Sequence, residues 1–162
     1  MIQKYLAIIF LFLIGCKPIE PVNFVEVQNV KINSSTDNQI NISAEIVLDN
    51  PNKVKITIEY IDVDIFAEDI ILVDINENEP RELSESSETT VNITGEVNLK
   101  NLEEFLNKKG LAIILGGDDV SLKFVGTIQA KAYGIKDEID INYTINSVKA
   151  VSYTHLTLPT IL

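Results

Sequence analysis

The chain has 162 residues, of which 46% are apolar and 23% charged, and a formal net charge of −11. This length and balance favour one folded domain over a disordered chain. Acidic residues outnumber basic ones 24 to 13, which excludes a general affinity for nucleic acid, because phosphate binding needs an excess of Lys and Arg. One Cys and one His can form neither an internal disulfide nor the usual zinc site.

The first fifteen residues have the layout of an export signal peptide. Lys4 precedes an apolar run that is too short to span a bilayer comfortably. The end of this run and the next residue resemble a bacterial lipobox, formed by Leu13, Ile14, Gly15 and Cys16. The resemblance implies cleavage before Cys16 and acylation of this residue, which would leave residues 16–23 as the lipidated Cys and a tether. An uncleaved N-terminal anchor with an incidental Cys is the alternative.

The lipobox interpretation places the protein on the bacterial cell envelope, with the membrane as a partner through acylated Cys16. Lys17, rather than Asp, follows the anchor, so the inner-membrane retention rule of enteric bacteria is not triggered. We therefore expect the outer membrane, on its periplasmic or surface side.

The last twelve residues, 151–162, carry no charge and follow a region rich in Asp, Glu and Lys. Residues 151–160 resemble the translation of a transposase sequencing adapter, and we interpret the segment as non-native. A natural final strand is the alternative. His155, the only histidine, lies in this segment. The remaining 134 residues, 17–150, contain all 24 acidic and 12 of the 13 basic residues, which gives a net charge near −12.

Alternating apolar and polar residues predict seven β-strands within a domain at residues 24–150. In the second strand, at 39–49, apolar and polar residues alternate over the whole length, as expected of a sheet with one solvent-exposed face. The third changes phase, which predicts a β-bulge or bend near Tyr60 and Ile61. The predicted strands lie at residues 24–32, 39–49, 54–66, 70–75, 91–99, 120–133 and 135–145. The last two are joined tightly at Gly134 as a hairpin. We expect Leu99 of the fifth strand, and Ile139, Ile141 and Tyr143 of the last, to point inward.

Residues 77–88 are acidic and predict a solvated connection, whereas residues 101–109 predict the one helix. Leu102 and Phe105 have helical spacing, Asn101 is a plausible N-cap, and Gly110 follows the last turn. Residues 111–115 then predict an apolar connection. Short antiparallel strands with one brief helix predict a two-layer immunoglobulin-like or fibronectin-III-like sandwich.

Residues 17–150 lack the side chains that common catalytic mechanisms need. Nucleophilic catalysis of the Ser-His-Asp or Cys-His kind requires an imidazole, and residues 17–150 contain no histidine. A phosphate-binding glycine loop is absent from the sequence as well. Asp118 and Asp119 are candidates for a hard cation, but no calcium-loop spacing surrounds them and a solvated turn is the preferred interpretation. Other acidic residues alternate along strands, as on a wet sheet face. We predict no catalytic residue, no metal site and no cofactor.

The order of the elements resembles the type 2 late embryogenesis abundant family, also called the water-stress and hypersensitive-response domain. The signature is a strand that ends in Asn50, Pro51 and Asn52. Further similar segments follow in the family's order, at residues 58–66, 87–91, 102–108 and 122–126. The chain departs from the pattern at residues 53–55, where Lys-Val-Lys replaces a second Pro and apolar residue. The resemblance implies an immunoglobulin-like or fibronectin-III-like sandwich with one helix and no known catalysis.

Three functions remain open at this point. The first is a non-enzymatic, lipid-anchored envelope protein that binds or shields a partner, with a role in desiccation or other stress as the resemblance implies. The second is an assembly module that docks onto an envelope complex through a sheet edge or face. The third, an enzyme that uses only carboxylates, would need two buried carboxylates in a cleft.

Overall fold

A computed structural model describes residues 18–34, 39–114 and 120–148 of the chain. These residues form eight strands and one helix, in the order β1 (Asn23–Ser34), β2 (Ile40–Asn50), β3 (Ile56–Ala67), β4 (Ile70–Glu77), β5 (Arg81–Leu83), β6 (Ser87–Glu96), α1 (Leu99–Ile114), β7 (Val120–Ala132) and β8 (Ile135–Val148).

The strands form two antiparallel sheets that pack on each other. One sheet has the order β1-β2-β6, and the other has the order β4-β3-β7-β8 with β5 paired to β3. This arrangement confirms the predicted antiparallel β-sandwich with one helix. The alternation along β2 is confirmed as well, since Ile42, Ala44, Ile46 and Leu48 are all buried in the core between the sheets.

The predicted irregularity in β3 is a β-bulge. The pairing of β3 with β7 shifts register between Ile58 and Tyr60, which leaves Glu59 as the extra residue. Ile58 on one side and Ile61 on the other are both buried. The bulge therefore turns both halves of the strand toward the same core. The N-terminal half pairs with β5 and the C-terminal half with β4 on the same edge.

Two glycines permit close approach of neighbouring strands. A Cβ at Gly126 of β7 would overlap the carbonyl oxygen of Asp62 and lie 2.7 Å from the Cα of Val63 in β3. A Cβ at Gly95 of β6 would overlap Val73 of β4, on the facing sheet. Both positions therefore need a residue without a side chain.

The predicted solvated connection at 77–88 is partly wrong, because it contains β5. Leu83 of β5 is fully buried and pairs with Ile56 of β3. Arg81 forms an ion pair with Glu77 and donates a hydrogen bond to the carbonyl of Asn92. Three residues are too few for an alternating pattern, so this strand depends on its partners.

The helix differs from its prediction at both ends. It begins at Leu99, so Leu99 is not an inward residue of the preceding strand but is 54% exposed. Asn98 is the N-cap, since its Oδ1 accepts from the backbone N–H groups of Lys100 (3.1 Å) and Asn101 (3.2 Å). The Asn101 side chain instead donates to the carbonyl of Ile71 in β4 (2.8 Å). The helix continues through Gly110 to Ile114, where the sequence predicts an apolar connection.

The last two strands form the predicted hairpin, with Tyr133 and Gly134 at its turn. Both residues have positive φ angles, 50° and 84°, as in the type I′ turns that join antiparallel strands tightly. Ile139 and Ile141 of β8 point inward as predicted and are buried. Tyr143 is only partly buried and packs its ring edge-on against Phe24 of β1, with centroids 5.7 Å apart.

Candidate functional site

The Asn50-Pro51-Asn52 segment forms a buried junction between the end of β2 and two other parts of the chain. The Asn50 side chain is 0% exposed. Its Nδ2 donates to the carbonyls of Val54 and Ser84, both at 2.8 Å. Its Oδ1 accepts from the backbone N–H of Asn52 (3.0 Å) and from Asn52 Nδ2 (3.1 Å). Asn50 thus uses both donors and both acceptor positions of its amide.

Asn52 connects the junction to the N-terminal segment. Its Nδ2 donates to the carbonyl of Glu20 and its Oδ1 accepts from the N–H of Glu20, both at 2.8 Å. The Asn52 side-chain amide therefore binds both backbone polar groups of Glu20, 32 positions earlier, as the backbone of a neighbouring β-strand would. Val22 is also buried in the core. Residues 18–22, which the sequence predicts as a tether, are in contact with the sandwich.

Asn52 also binds the connection between β5 and β6. The backbone N–H of Ser86 donates to the carbonyl of Asn52 at 2.8 Å, and the Ser86 φ angle is 47°. The neighbouring Ser87 hydroxyl is buried and lacks a hydrogen-bond partner among the described residues. Three segments that are distant in the sequence thus meet at one Asn-Pro-Asn turn.

The polar groups of this junction stabilise the fold rather than bind a ligand. Its amides are neutral, and the polar atoms of Asn50 are all engaged within the protein, so none is free to bind a ligand. Pro51 suits the position because it has no N–H to satisfy and disfavours a helical conformation at Asn50. Val54, in the segment that departs from the family pattern, takes part by accepting one of the Asn50 bonds through its carbonyl.

The carboxylates of β3 lie on the outer sheet face, as their alternation predicts. Asp64 is opposite Asp74 of β4 and is half-buried. Burial raises the pKa of Asp64 above its ordinary value of 3.8, and the nearby carboxylates of Asp74 and Asp62 raise it further. The described residues contain no group of three or more His, Cys, Asp or Glu side chains arranged to hold a metal.

Glu59, the extra residue of the β3 bulge, holds two lysines of the final hairpin. Its Oε1 lies 2.8 Å from Lys131 Nζ and its Oε2 lies 2.7 Å from Lys136 Nζ. Hydrogen bonds from Lys131 and then from Lys136 lower the pKa of Glu59, so it stays ionised. The bulge therefore directs an acceptor toward the two strands that lead to the Tyr133–Gly134 turn.

An open groove of about 650 Å³ runs between the edge strands β1 and β8. Its walls include Val27 and Val30 from β1, and Tyr143 and Ile145 from β8. Asn29 has a φ of 52° at a shift in register between β1 and β2, which bends β1 at this groove. Alternation along the strands could not reveal the groove, because it depends on where two edges from different sheets meet.

Several sequence predictions fall outside the described residues. These are the lipobox residues Leu13, Ile14, Gly15 and Cys16, the acidic pair Asp118 and Asp119, and the whole of segment 151–162 with His155. Within the described ranges, no helix is both long and apolar enough to cross a membrane.

Comparison with known proteins agrees with the architecture. A family model described as late embryogenesis abundant protein matches residues 45–146. The fold is similar to the crystal structure of a protein from Archaeoglobus fulgidus, with a TM-score of 0.58 and 18% identity over 80% of this chain and 100% of that one. It is also similar to the solution structure of a protein from Arabidopsis thaliana, with a TM-score of 0.62 and 14% identity over 80% and 82% of the two chains.

These identities establish a shared fold alone, and no curated protein matches the sequence. The family match is more informative, because it covers more than half of the chain and includes the Asn50-Pro51-Asn52 junction, the helix and most of the sandwich. The chain belongs to the type 2 late embryogenesis abundant family.

Proposed function

We propose that this protein is a non-enzymatic, lipid-anchored protein of the bacterial cell envelope that binds or shields partner proteins during water stress. The observation that carries the proposal is the pair of hydrogen bonds between Asn52 and Glu20. They join the family's Asn-Pro-Asn signature to a segment that begins two residues after Cys16. A domain fixed this close to an acylated residue stays at the membrane surface, where envelope proteins need protection.

The charge distribution supports a shielding role. Residues 17–150 carry 24 acidic and 12 basic residues, and the acidic residues of the strands lie mainly on exposed positions. A surface with a large net charge of one sign resists association with copies of itself. Such a domain can therefore remain dispersed between other proteins when water is withdrawn.

Anchoring is tested by expressing the full chain in bacteria that are fed a radioactive fatty acid. We expect label in the protein, recovery in the membrane fraction and a mass that corresponds to cleavage before Cys16. Cys16→Ser should abolish the label, while the matched variant Lys17→Ser, which leaves the lipobox intact, should retain it. Equal labelling of the two variants would refute acylation at Cys16.

Shielding is tested by drying and heating an aggregation-prone enzyme in the presence of the protein. We expect the enzyme to keep more activity and to scatter less light than with an equal mass of an unrelated β-sandwich of similar net charge. Equal loss of activity in both samples would reject the protective role and leave the anchoring proposal intact.

A second candidate function is an assembly module, which the two edge strands favour. β1 and β8 have 12 and 14 residues, and within the described ranges each pairs with one neighbour only. Ile32 of β1 is 57% exposed. Long edge strands can accept a strand from a partner. We expect a stoichiometric envelope partner in a pull-down, weakened by Ile32→Gln and unaffected by the adjacent control Lys31→Gln.

A further inference from the structure

We infer that the turn of the final hairpin is a membrane-contacting element that lies in the lipid headgroup region. This element, the hairpin tip, comprises Tyr133, Gly134 and Ile135. The inference rests on the proposed acylation of Cys16, because the acyl chains bring the tip to the bilayer. The partner is a phospholipid surface.

The first observation is exposure. Tyr133 is 81% exposed and Ile135 is 64% exposed, more than Ile32 at 57% or Leu99 at 54%. Tyr133 and Ile135 flank Gly134 at the end of the hairpin. Tyr is enriched at membrane interfaces, because its ring prefers an apolar environment while its hydroxyl prefers water.

The second observation is the backbone conformation of Tyr133. Its φ of 50° lies in the left-handed region, where a residue with a side chain is less stable by about 1–2 kcal/mol. Asn, Asp and Gly are the residues usually found at this place in a type I′ turn. Because Tyr133 is 81% exposed, burial within the protein offsets little of this cost. Contact with another surface would supply the gain in burial that folding does not.

The third observation is the position of the hairpin tip beside the N-terminal segment. Tyr133 lines a cavity of about 220 Å³ together with Pro18, Ile19 and Lys53. Ile135 lines a smaller one of about 30 Å³ with Ile19 and Val22. The Asn52 bonds to Glu20 hold this segment in place. The hairpin tip and the start of the described chain thus share one end of the sandwich.

The distance to the anchor follows from the chain length. Cys16 precedes Pro18 by two residues, which span at most about 7 Å when fully extended. An acylated Cys16 lies at the membrane surface, so the end of the sandwich that carries Pro18 and Tyr133 must lie close to it. The acyl chains supply the affinity, and the hairpin tip sets the orientation of the domain.

Electrostatic attraction contributes little to such a contact, because the exposed cation at this end, Lys53, is outnumbered by exposed carboxylates. Asp137 and Glu138 are exposed next to the hairpin tip, while Lys131 and Lys136 are both engaged by Glu59. Two apolar side chains alone hold a protein on a bilayer weakly, so contact depends on the high local concentration that the anchor provides. We therefore expect contact that requires acylation and persists at high salt.

The experiment places a fluorescent reporter beside the hairpin tip in the full, acylated chain. Cys16 is the only cysteine and its sulfur is blocked by the thioether, so Asp137→Cys supplies a single free thiol and leaves Tyr133 and Ile135 intact. The control reporter is Glu68→Cys, in the β3–β4 turn at the opposite end of β3, where the side chain is exposed like that of Asp137. Both chains are reconstituted into vesicles of phosphatidylcholine and phosphatidylglycerol.

We expect the reporter at position 137 to show a blue shift and stronger quenching by headgroup-attached quenchers than the reporter at position 68. Combining Asp137→Cys with Tyr133→Ser and Ile135→Ser should reduce the quenching to the level at position 68. Equal signals from the two reporters in acylated protein would overturn the inference alone. A second labelled thiol at Cys16, with the protein free in solution, would overturn the proposed anchoring and this inference together.

Discussion

Replacing Asn50 by Ala tests whether the Asn-Pro-Asn junction is a major source of stability. The substitution removes four hydrogen bonds from a side chain that is 0% exposed. Each is worth about 1 kcal/mol net, and a buried group left unpaired costs about 1–3 kcal/mol. Water can reach the exposed Ser84 side of the junction, so part of this loss is recovered. We expect the free energy of unfolding to fall by about 2–4 kcal/mol.

The measurement is urea unfolding, followed by circular dichroism, of the chain without its first sixteen residues. A loss of this size lowers the urea midpoint by roughly 1–2 M for a typical slope. Asn142→Ala is the control, because the Asn142 side chain is exposed on β8 and its loss should change stability by less than about 0.5 kcal/mol. Equal midpoints for the two variants would refute the reasoning.

The nearly isosteric variant Asn50→Asp removes the two hydrogen-bond donors but keeps the side-chain volume, so it distinguishes these two contributions to stability. An ionised carboxylate can still accept from Asn52, but it cannot donate to the carbonyls of Val54 and Ser84. Burial beside two carbonyl oxygens should raise the pKa of the new carboxyl in the folded state. The variant should therefore be destabilised at neutral pH and recover partly as the pH falls, which Asn50→Ala should not do.

Three further substitutions test other parts of the fold. Gly126→Ala should destabilise the protein by about 3 kcal/mol or more, because the new Cβ would overlap the backbone of Asp62. Leu83→Ala should cost about 2–5 kcal/mol, since Leu83 is fully buried although β5 has only three residues. Asp64→Asn should stabilise the protein at neutral pH by about 0.2–1 kcal/mol, because it removes a half-buried charge that lies opposite Asp74. Since the pKa of Asp64 is raised on folding, this gain should shrink as the pH falls through the raised pKa and be lost below the ordinary value of 3.8.

Thermal and urea unfolding between pH 3 and pH 8 measure the stability of all three variants, with the unmodified protein as reference. A soluble Gly126→Ala variant with unchanged stability would contradict the close approach of β3 and β7. An unchanged midpoint for Leu83→Ala would contradict the burial of β5. A gain for Asp64→Asn that grows toward acid pH would contradict the direction of its pKa change.

Features with a local pattern could be predicted from the sequence. The strand β2 alternates over its whole length, the phase change in β3 indicates its bulge, and Gly134 marks the final hairpin. In each case the pattern is local, because a strand with one buried face repeats every two residues. The order of these elements, together with the Asn50-Pro51-Asn52 signature, was sufficient for the family resemblance that the family model confirms.

Other features of the fold depend on contacts with residues that are distant in the sequence, and the sequence did not predict them. β5 exists because Leu83 pairs with β3. Asn98 rather than Asn101 caps α1, because the Asn101 side chain donates to the carbonyl of Ile71 in β4 instead. The role of Asn52 is set by Glu20, 32 residues earlier. Local patterns in the sequence were therefore enough to predict the sheet periodicity, the acidic surface and the family. The hydrogen bonds by which the Asn-Pro-Asn turn holds the N-terminal segment, and the position of Tyr133, depend on contacts between distant segments, which no local pattern encodes.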